Sequence, residues 1–233
     1  MSSAADLSHI EFRELTTASD LAVLPPFEHH IWGSGGDAVS VNMLVATIIE
    51  GGMAIGAFAG GHIVGAVYGF ATREPDALHS HYLAVDPQHR RSGLGIELKQ
   101  RQRTWCLERG IRRIRWTYDP LQLGNAHLNL VALGATGVTY HIDHYGHLGG
   151  INGSLPSDRV TVSWELEPEG PPPEPTLSID VPPASPDDIA GSTDAALHAR
   201  LHVRRELAPR IGHGWHLVGV DRAERRYHLA PTP

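Results

Sequence analysis

The sequence predicts an α/β (α+β) chain, with a mixed, mostly antiparallel central sheet flanked by helices and a small C-terminal extension. Three observations predict it. Strand-length apolar runs alternate with helix-length segments along most of the chain. The apolar stretch at 51–71 is punctuated by Gly51-Gly52 and Gly60-Gly61 into strand-sized pieces. Val160, Val162, Trp164 and Leu166 alternate with Thr161, Ser163 and Glu165, the period of a half-buried strand.

The elements follow in order. Ile10, Phe12 and Leu15 suggest a first strand that runs into a helix start at Thr16 to Asp20. Helical segments are expected near 18–31 and 38–50, separated by the Gly33-Ser34-Gly35-Gly36 cluster. Met53 to Ala59 and Ile63 to Phe70 read as two buried strands joined at Gly60-Gly61. His79 to Val85 is a fourth strand, stopped by Asp86-Pro87. Leu94, Leu98 and Trp105 share a helical stripe, interrupted by Arg101, and Gly110 is expected to end that helix. Arg113, Arg115 and Thr117 alternate with Ile114, Trp116 and Tyr118 as a strand. A helix from about 122 to 133 follows, stopped by Gly134, and then a strand within 136–145.

Composition shifts after residue 166. Glu167 to Pro175 holds Pro168, Pro171, Pro172 and Pro173 and lacks apolar periodicity, so it reads as a linker. The expected organisation is a core at 9–167, a linker at 168–176 and an extension at 177–233. The extension reads as a short strand at Leu177 to Val181, a helix from Asp194 to Ala208 and a hairpin from Trp215 to Val220 and Arg225 to Leu229. Leu197/Leu201 and Val203/Leu207 mark the apolar face of that helix. So few apolar anchors would struggle to fold alone. The tail is expected to pack on the core, or on a partner subunit in a homodimer.

Composition narrows the function classes. The chain has 233 residues, 41% hydrophobic and 19% charged, enough for a real core, with a formal charge of -7. A free-standing nucleic-acid binder is usually basic, so no nucleic-acid partner is expected. Cys106 is the one cysteine, which rules out an internal disulfide framework and a zinc-thiolate site. The N-terminus shows no secretory signal, and the glycines in 51–71 argue for a hairpin over a membrane span. A cytoplasmic protein with no membrane partner is the expectation.

The strongest local signal is the run Leu83-Ala84-Val85-Asp86-Pro87-Gln88-His89-Arg90-Arg91-Ser92-Gly93-Leu94-Gly95. A strand ends, a short loop turns and a helix begins. Backbone N–H groups at such a helix start are unsatisfied and converge, so they can receive a pyrophosphate. Gly93 and Gly95 let the main chain approach phosphate oxygens, and Arg90 and Arg91 add charge. The bland alternative is an ordinary strand–helix turn. A dinucleotide fingerprint needs a third glycine, but position 97 is Glu. No Gly-Lys-Ser/Thr follows, so the Walker pattern also fails.

Arg90-Arg91-Ser92-Gly93-Leu94-Gly95 resembles the Arg/Gln-x-x-Gly-x-Gly/Ala motif of the GNAT acyltransferase superfamily. Leu83 to Pro87 looks like that family's fourth strand and its exit. Leu78-His79-Ser80-His81, Trp116-Thr117-Tyr118-Asp119-Pro120-Leu121, Asn125-Ala126-His127, Leu133-Gly134-Ala135, Tyr145-Gly146, Leu155-Pro156-Ser157-Asp158-Arg159 and Trp164-Glu165-Leu166 resemble a bacterial subfamily of poorly defined substrate, as does the tail. The resemblance covers most of the chain. It implies a GNAT-like sheet and an acyl-CoA cofactor, acetyl-CoA by default and succinyl-CoA as the variant, with no metal.

The same resemblance implies roles. The family's fourth and fifth strands splay around the pantetheine arm, so backbone groups of Leu83, Ala84 and Val85 would pair with it. Gln88, Arg90, Arg91, Ser92, Gly93, Leu94 and Gly95 would hold the pyrophosphate, and Asn125 matches a position that often contacts the cofactor. The acceptor amine must be neutral to attack, so a base with a pKa near working pH is useful. His81 is the first candidate and His79 the second; at i,i+2 in a strand they share a face. The family's usual thiolate-protonating tyrosine falls at Leu130, so the acid is missing there and Tyr118, Tyr140, Tyr145 or water would replace it, with Tyr145 chosen. Asp119 can bind a substrate amine or cap a helix, and Arg159 can bind a substrate carboxylate or form a turn with Asp158. A metal at His79/His81, or at His141, His144 and His147, lacks a supporting carboxylate or cysteine pattern.

The function these readings imply is acyl-CoA-dependent N-acyl transfer to a small amine such as an amino acid. Protein-lysine acetylation has no discriminating motif. The alternative from another class is a catalytically silent CoA-binding or sensing module.

Overall fold

The computed structural model describes residues 7–33, 38–146 and 154–232. The chain divides into two compact units, Met1–Ile114 and Arg115–Pro233. Ser34, Gly35 and Gly36, expected to line a loop, lie outside the described residues, as does His147.

In the first unit four strands run in the order β1 (Ile10–Glu14), β2 (Met53–Ala59), β3 (His62–Ala71) and β4 (Ala77–Val85), each antiparallel to the next. The 51–71 stretch is therefore a β2–β3 hairpin. Gly60 and Gly61 turn it with φ of +55° and +84°, a pair of left-handed residues that a two-residue turn demands. No helix among the described residues is long and apolar enough to cross a membrane.

The first expected helix is two. α1 (Ala18–Leu21) is closed by a Thr17/Asp20 capping box, and α2 (Leu24–Trp32) restarts with Pro25 and Pro26 in its first turn. Proline there loses no intrahelical bond but cannot continue a preceding turn, which explains the break. α3 (Val41–Ile49) is capped by Ser40. Leu21, Leu24, Phe27 and Leu44 from these helices pack with Phe58, Tyr68, Tyr82 and Ala84 of the sheet. α4 (Leu94–Leu107) packs against β2, β3 and β4 and buries Leu94, Leu98 and Trp105 as the stripe predicted. It ends at Leu107, with Gly110 three residues on in a left-handed turn at φ +76°.

One irregularity shapes the site. Tyr68 pairs with Tyr82, but the next residue, Gly69, pairs with Ser80, so His81 is an extra residue in β4. Such a bulge breaks the alternation of side chains. Ser80 bonds to α4 through Gln102 and Lys99, whereas Tyr82, two residues on, packs in the α1–α3 core.

The second unit orders its strands β5 (Arg113–Tyr118, shared with the boundary), β7 (Arg159–Glu165), β6 (Thr136–His141), β9 (Trp215–Asp221), β10 (Arg226–Pro231) and β8 (Leu177–Asp180). β6 pairs antiparallel with both β7 and β9, and β10 with both β9 and β8. The tail's hairpin thus extends the same sheet in cis. α5 (Leu123–Ala126) passes into a π-helical turn, His127–Ala132, where one continuous helix was expected. α6 (Pro186–Gly191), not anticipated, is closed by a Ser185/Asp188 capping box. α7 (Asp194–Leu207) buries Ala196, Ala199, Arg200, Val203 and Leu207, whereas Leu197 and Leu201 face solvent, against the expectation for that pair.

The β6–β9 contact is close. A Cβ on Gly137 would stand 2.7 Å from the Leu217 Cβ and 3.1 Å from Val160 Cγ1. Gly137→Ala is expected to cost about 1–3 kcal/mol of stability through overpacking. A urea titration showing less than half a kcal/mol of loss, on the order of the scatter for neutral surface changes, would contradict that register.

Candidate active site

β4 ends at Val85, and the chain turns through Asp86 and a 3₁₀ turn at Pro87–His89. Asp86 Oδ1 accepts the Gln88 N–H at 2.8 Å, and His30 Nε2 lies 2.8 Å from Asp86 Oδ2. Burial would raise the Asp86 pKa, but the Gln88 amide and the His30 and His89 rings hold it below the usual carboxylate value. The Arg90 Nε donates to the Val85 carbonyl at 3.3 Å, and the Ser92 hydroxyl donates to the His89 carbonyl at 2.7 Å. Arg91 has φ of +65° and Gly93 φ of +81°, two left-handed residues that reverse the chain into α4.

The N-cap of α4, Gly93, offers no capping side chain, and the Leu94 N–H donates to the Ser92 hydroxyl at 3.4 Å, leaving the following N–H groups of the first turn without a side-chain cap. A Cβ at Gly95 would meet Leu83 Cδ2 and Val85 Cγ2 at 3.6 and 3.7 Å, ordinary contact distances. Packing within the unit therefore leaves room there that glycine does not fill. Uncapped N–H groups, the positive end of a 14-residue helix and exposed Arg90 and Arg91 form a donor set that fits a diphosphate.

His79 and His81 stand on β4 just before this turn, and their rings lie 6.2 Å apart. His79 stacks on Phe70 at 4.7 Å, and His81 meets Tyr68 edge-on at 5.7 Å. They share a face as expected, and the bulge adds Tyr82 to that face. Burial pushes the His79 pKa down to about 4, helped by the charges of His81 and Lys99. Burial also lowers that of His81, although its side chain still reaches solvent. Behind them the Lys99 ammonium, fully buried, donates to Gln102 Oε1 at 2.7 Å and to Ser80 Oγ at 3.2 Å, and burial lowers its pKa to about 7.

In the second unit Asn125 is exposed on α5, whose start has no side-chain cap, and Leu130 is buried in the π-helical turn. Tyr145 is half-exposed and shares a 3.0 Å hydrogen bond with Thr117 Oγ1. Tyr118 is buried against the Tyr227 hydroxyl, and Tyr140 donates to Asp158 Oδ2 at 2.7 Å. Asp119 does not stand free to meet an amine. Its two oxygens accept from Arg200 at 2.8 and 2.6 Å. Arg204 makes the same two-pronged contact with Asp158, at 2.9 and 2.6 Å. Arg159 bonds to the Asp158 carbonyl at 2.9 Å, lies 3.7 Å from Asp119 Oδ2 and sits over the Tyr145 ring. His141 and His144 rings lie 4.4 Å apart. Among the described residues no three His, Cys, Asp or Glu side chains converge as a metal set.

Sequence reading missed two of these groups. Lys99 carried no motif. Arg200 was hidden because its helix was oriented by Leu197 and Leu201.

Residues 20–128 match the sequence model of the acetyltransferase (GNAT) family. Those residues are similar to a GNAT acetyltransferase domain. Solved structures support the fold. The ribosomal-protein-S18-alanine N-acetyltransferase from Escherichia coli superposes with a TM-score of 0.57 at 17% identity, covering 69% of this chain and 96% of its own. A GNAT acetyltransferase from Streptococcus pneumoniae gives 0.54 at 17%, covering 66% and 97%. An aminoglycoside 6'-acetyltransferase of type Ii gives 0.54 at 15%, covering 69% and 99%. No curated protein sequence matches the chain.

Proposed function

We propose that this chain moves an acyl group, acetyl by default and succinyl as the variant, from coenzyme A to the amine of a small molecule such as an amino acid. The observation that carries the reading is the uncapped start of α4, preceded by Arg90 and the left-handed Arg91 and Gly93. Gln88, Ser92, Leu94 and Gly95 complete that cradle, Leu83, Ala84 and Val85 offer strand backbone to the pantetheine arm, and Asn125 is a further cofactor contact. Coenzyme A, when bound, supplies the acyl group as an activated thioester.

His81, with His79 behind it, takes a proton from the acceptor ammonium. Burial keeps both rings neutral at pH 7, the form that can accept. The freed amine forms the new C–N bond as the C–S bond breaks; the nitrogen gives up its second proton and the leaving thiolate takes one up, so the protons balance. Tyr145 is assigned that last transfer, because Tyr118 is buried and Tyr140 is committed to Asp158. Arg159 is assigned to an anionic group of the acceptor. The Arg159 guanidinium lies over the half-exposed Tyr145 ring at the edge of the cluster that Arg200 and Arg204 form with Asp119 and Asp158. Asp119 holds Arg200 and steadies that cluster.

A second reading, a CoA-binding module without turnover, is favoured by one observation: buried Leu130 where the family's usual acid would stand. Calorimetry with CoA tests the shared premise. Binding is expected, and replacing both Arg90 and Arg91 by alanine should weaken it about tenfold, since two exposed charge contacts at up to about 1 kcal/mol each sum to little more than the ~1.4 kcal/mol of one decade. Absence of CoA affinity would defeat both readings. Amine-dependent thiol release would decide for the enzyme.

A further inference from the structure

Glu28 is 6% exposed on α2, yet it has no arginine or lysine partner among the described residues. Its Oε2 accepts the Val39 N–H at 3.3 Å, while Oε1 is buried with no hydrogen bond. The Tyr82 hydroxyl is likewise buried and unbonded. The neighbouring Tyr68 hydroxyl, by contrast, is satisfied by Thr47 at 2.6 Å. Leaving such groups unpaired costs about 1–3 kcal/mol each, more for a charge. Glu28 and Tyr82 face one another and interact: burial raises the Glu28 pKa against the pull of the Val39 amide and the Tyr82 phenol, and burial with the carboxylate beside it raises that of Tyr82, yet neither Glu28 Oε1 nor the Tyr82 hydroxyl reaches a partner at hydrogen-bonding geometry.

Aromatic rings pack around Tyr82. Trp32, one turn beyond Glu28, meets Tyr82 edge-on at 5.4 Å. Tyr68 lies 5.6 Å from Tyr82 and 5.7 Å from His81, and His81 lies 6.0 Å from Tyr82. A carboxylate oxygen lacking a donor, beside ring faces that carry negative potential, is chemistry that selects a cation. His81 opens to solvent at the edge of this group. The bulge at His81 is what brings Tyr82 to it.

We infer that Glu28, with the Tyr82 hydroxyl and the Trp32 and Tyr68 rings, is the binding site for the acceptor's ammonium group, next to His81. The inference rests on the acyl-transfer reading for its consequence but not for its test. Glu28 donates nothing and accepts an N–H of the incoming cation at Oε1. His81 then takes one proton, and the neutral amine is left to react. Selectivity for primary ammonium over an uncharged isostere follows from this arrangement.

The experiment is calorimetric titration of the full chain with benzylamine and with benzyl alcohol at pH 7.5, with and without saturating CoA, so that no acyl group can move. Benzylammonium is expected to bind at least about tenfold more tightly than the alcohol. Glu28→Gln should remove that preference and leave CoA affinity unchanged. Tyr82→Phe, which deletes only an unsatisfied hydroxyl, should keep the fold and reduce the preference severalfold; it serves alone if Glu28→Gln does not fold. Equal binding of amine and alcohol by the wild type overturns the inference. So does a preference that survives in the folded variants. CoA binding without amine selectivity sinks this inference alone, and amine selectivity without CoA binding sinks the acyl-transfer reading alone.

Discussion

Arg200→Met is expected to lower the unfolding free energy by about 3–5 kcal/mol, the typical cost of stranding one partner of a buried ion pair. The Arg200 side chain is 2% exposed and that of Asp119 is 8% exposed. Without Arg200, the Asp119 side chain keeps, among the described residues, Arg159 at 3.7 Å and the Leu121 N–H at 2.8 Å. Replacing both partners, Arg200→Met with Asp119→Leu, should recover much of the loss, because an apolar pair of similar volume removes the stranded charge. Chemical denaturation of the three proteins measures it. A single variant within about 1 kcal/mol of wild type would mean that the pair behaves as a solvated surface contact.

His81→Ala is expected to lower kcat/KM by about 10²–10⁴, the range of a positioned general base, with CoA affinity retained. The pH profile carries the sign. A base acts when neutral, so activity rises with pH through its pKa in the free enzyme. Burial lowers the His81 pKa below the ordinary 6.5, so the wild-type limb should lie on the acid side of that value. In His81→Ala that limb should vanish or pass to His79, whose pKa of about 4 would put it more acidic still. An unchanged limb and unchanged rate in the variant would remove His81 from the chemistry.

Much of the frame was legible because it rests on local rules. The Gly60-Gly61 hairpin, the Leu94/Leu98/Trp105 stripe and the alternation in β7 are each set by spacing within a few residues. The turn from β4 through Asp86-Pro87 into α4 was legible for the same reason. Some local signals were present and passed over: Pro25-Pro26 marks a helix restart, and Ser185 with Asp188 spells a capping box. The bulge at His81 was not legible, since it depends on which residue of β3 faces Ser80. Glu28 was hidden because nothing in its helix says that Tyr82 lies opposite. In α7, two leucines at i,i+4 argued for the wrong face. The arginine that does turn inward is stabilised there by a carboxylate far away in sequence.

That separation has a further bearing. Asp119 and Arg200 stand 81 positions apart, on opposite sides of the proline-rich connector. A descendant chain that loses one keeps a buried charge until it loses the other. The two sites should therefore drift together across evolution, and a swap of tails between relatives ought to succeed only when both halves of this pair travel with it.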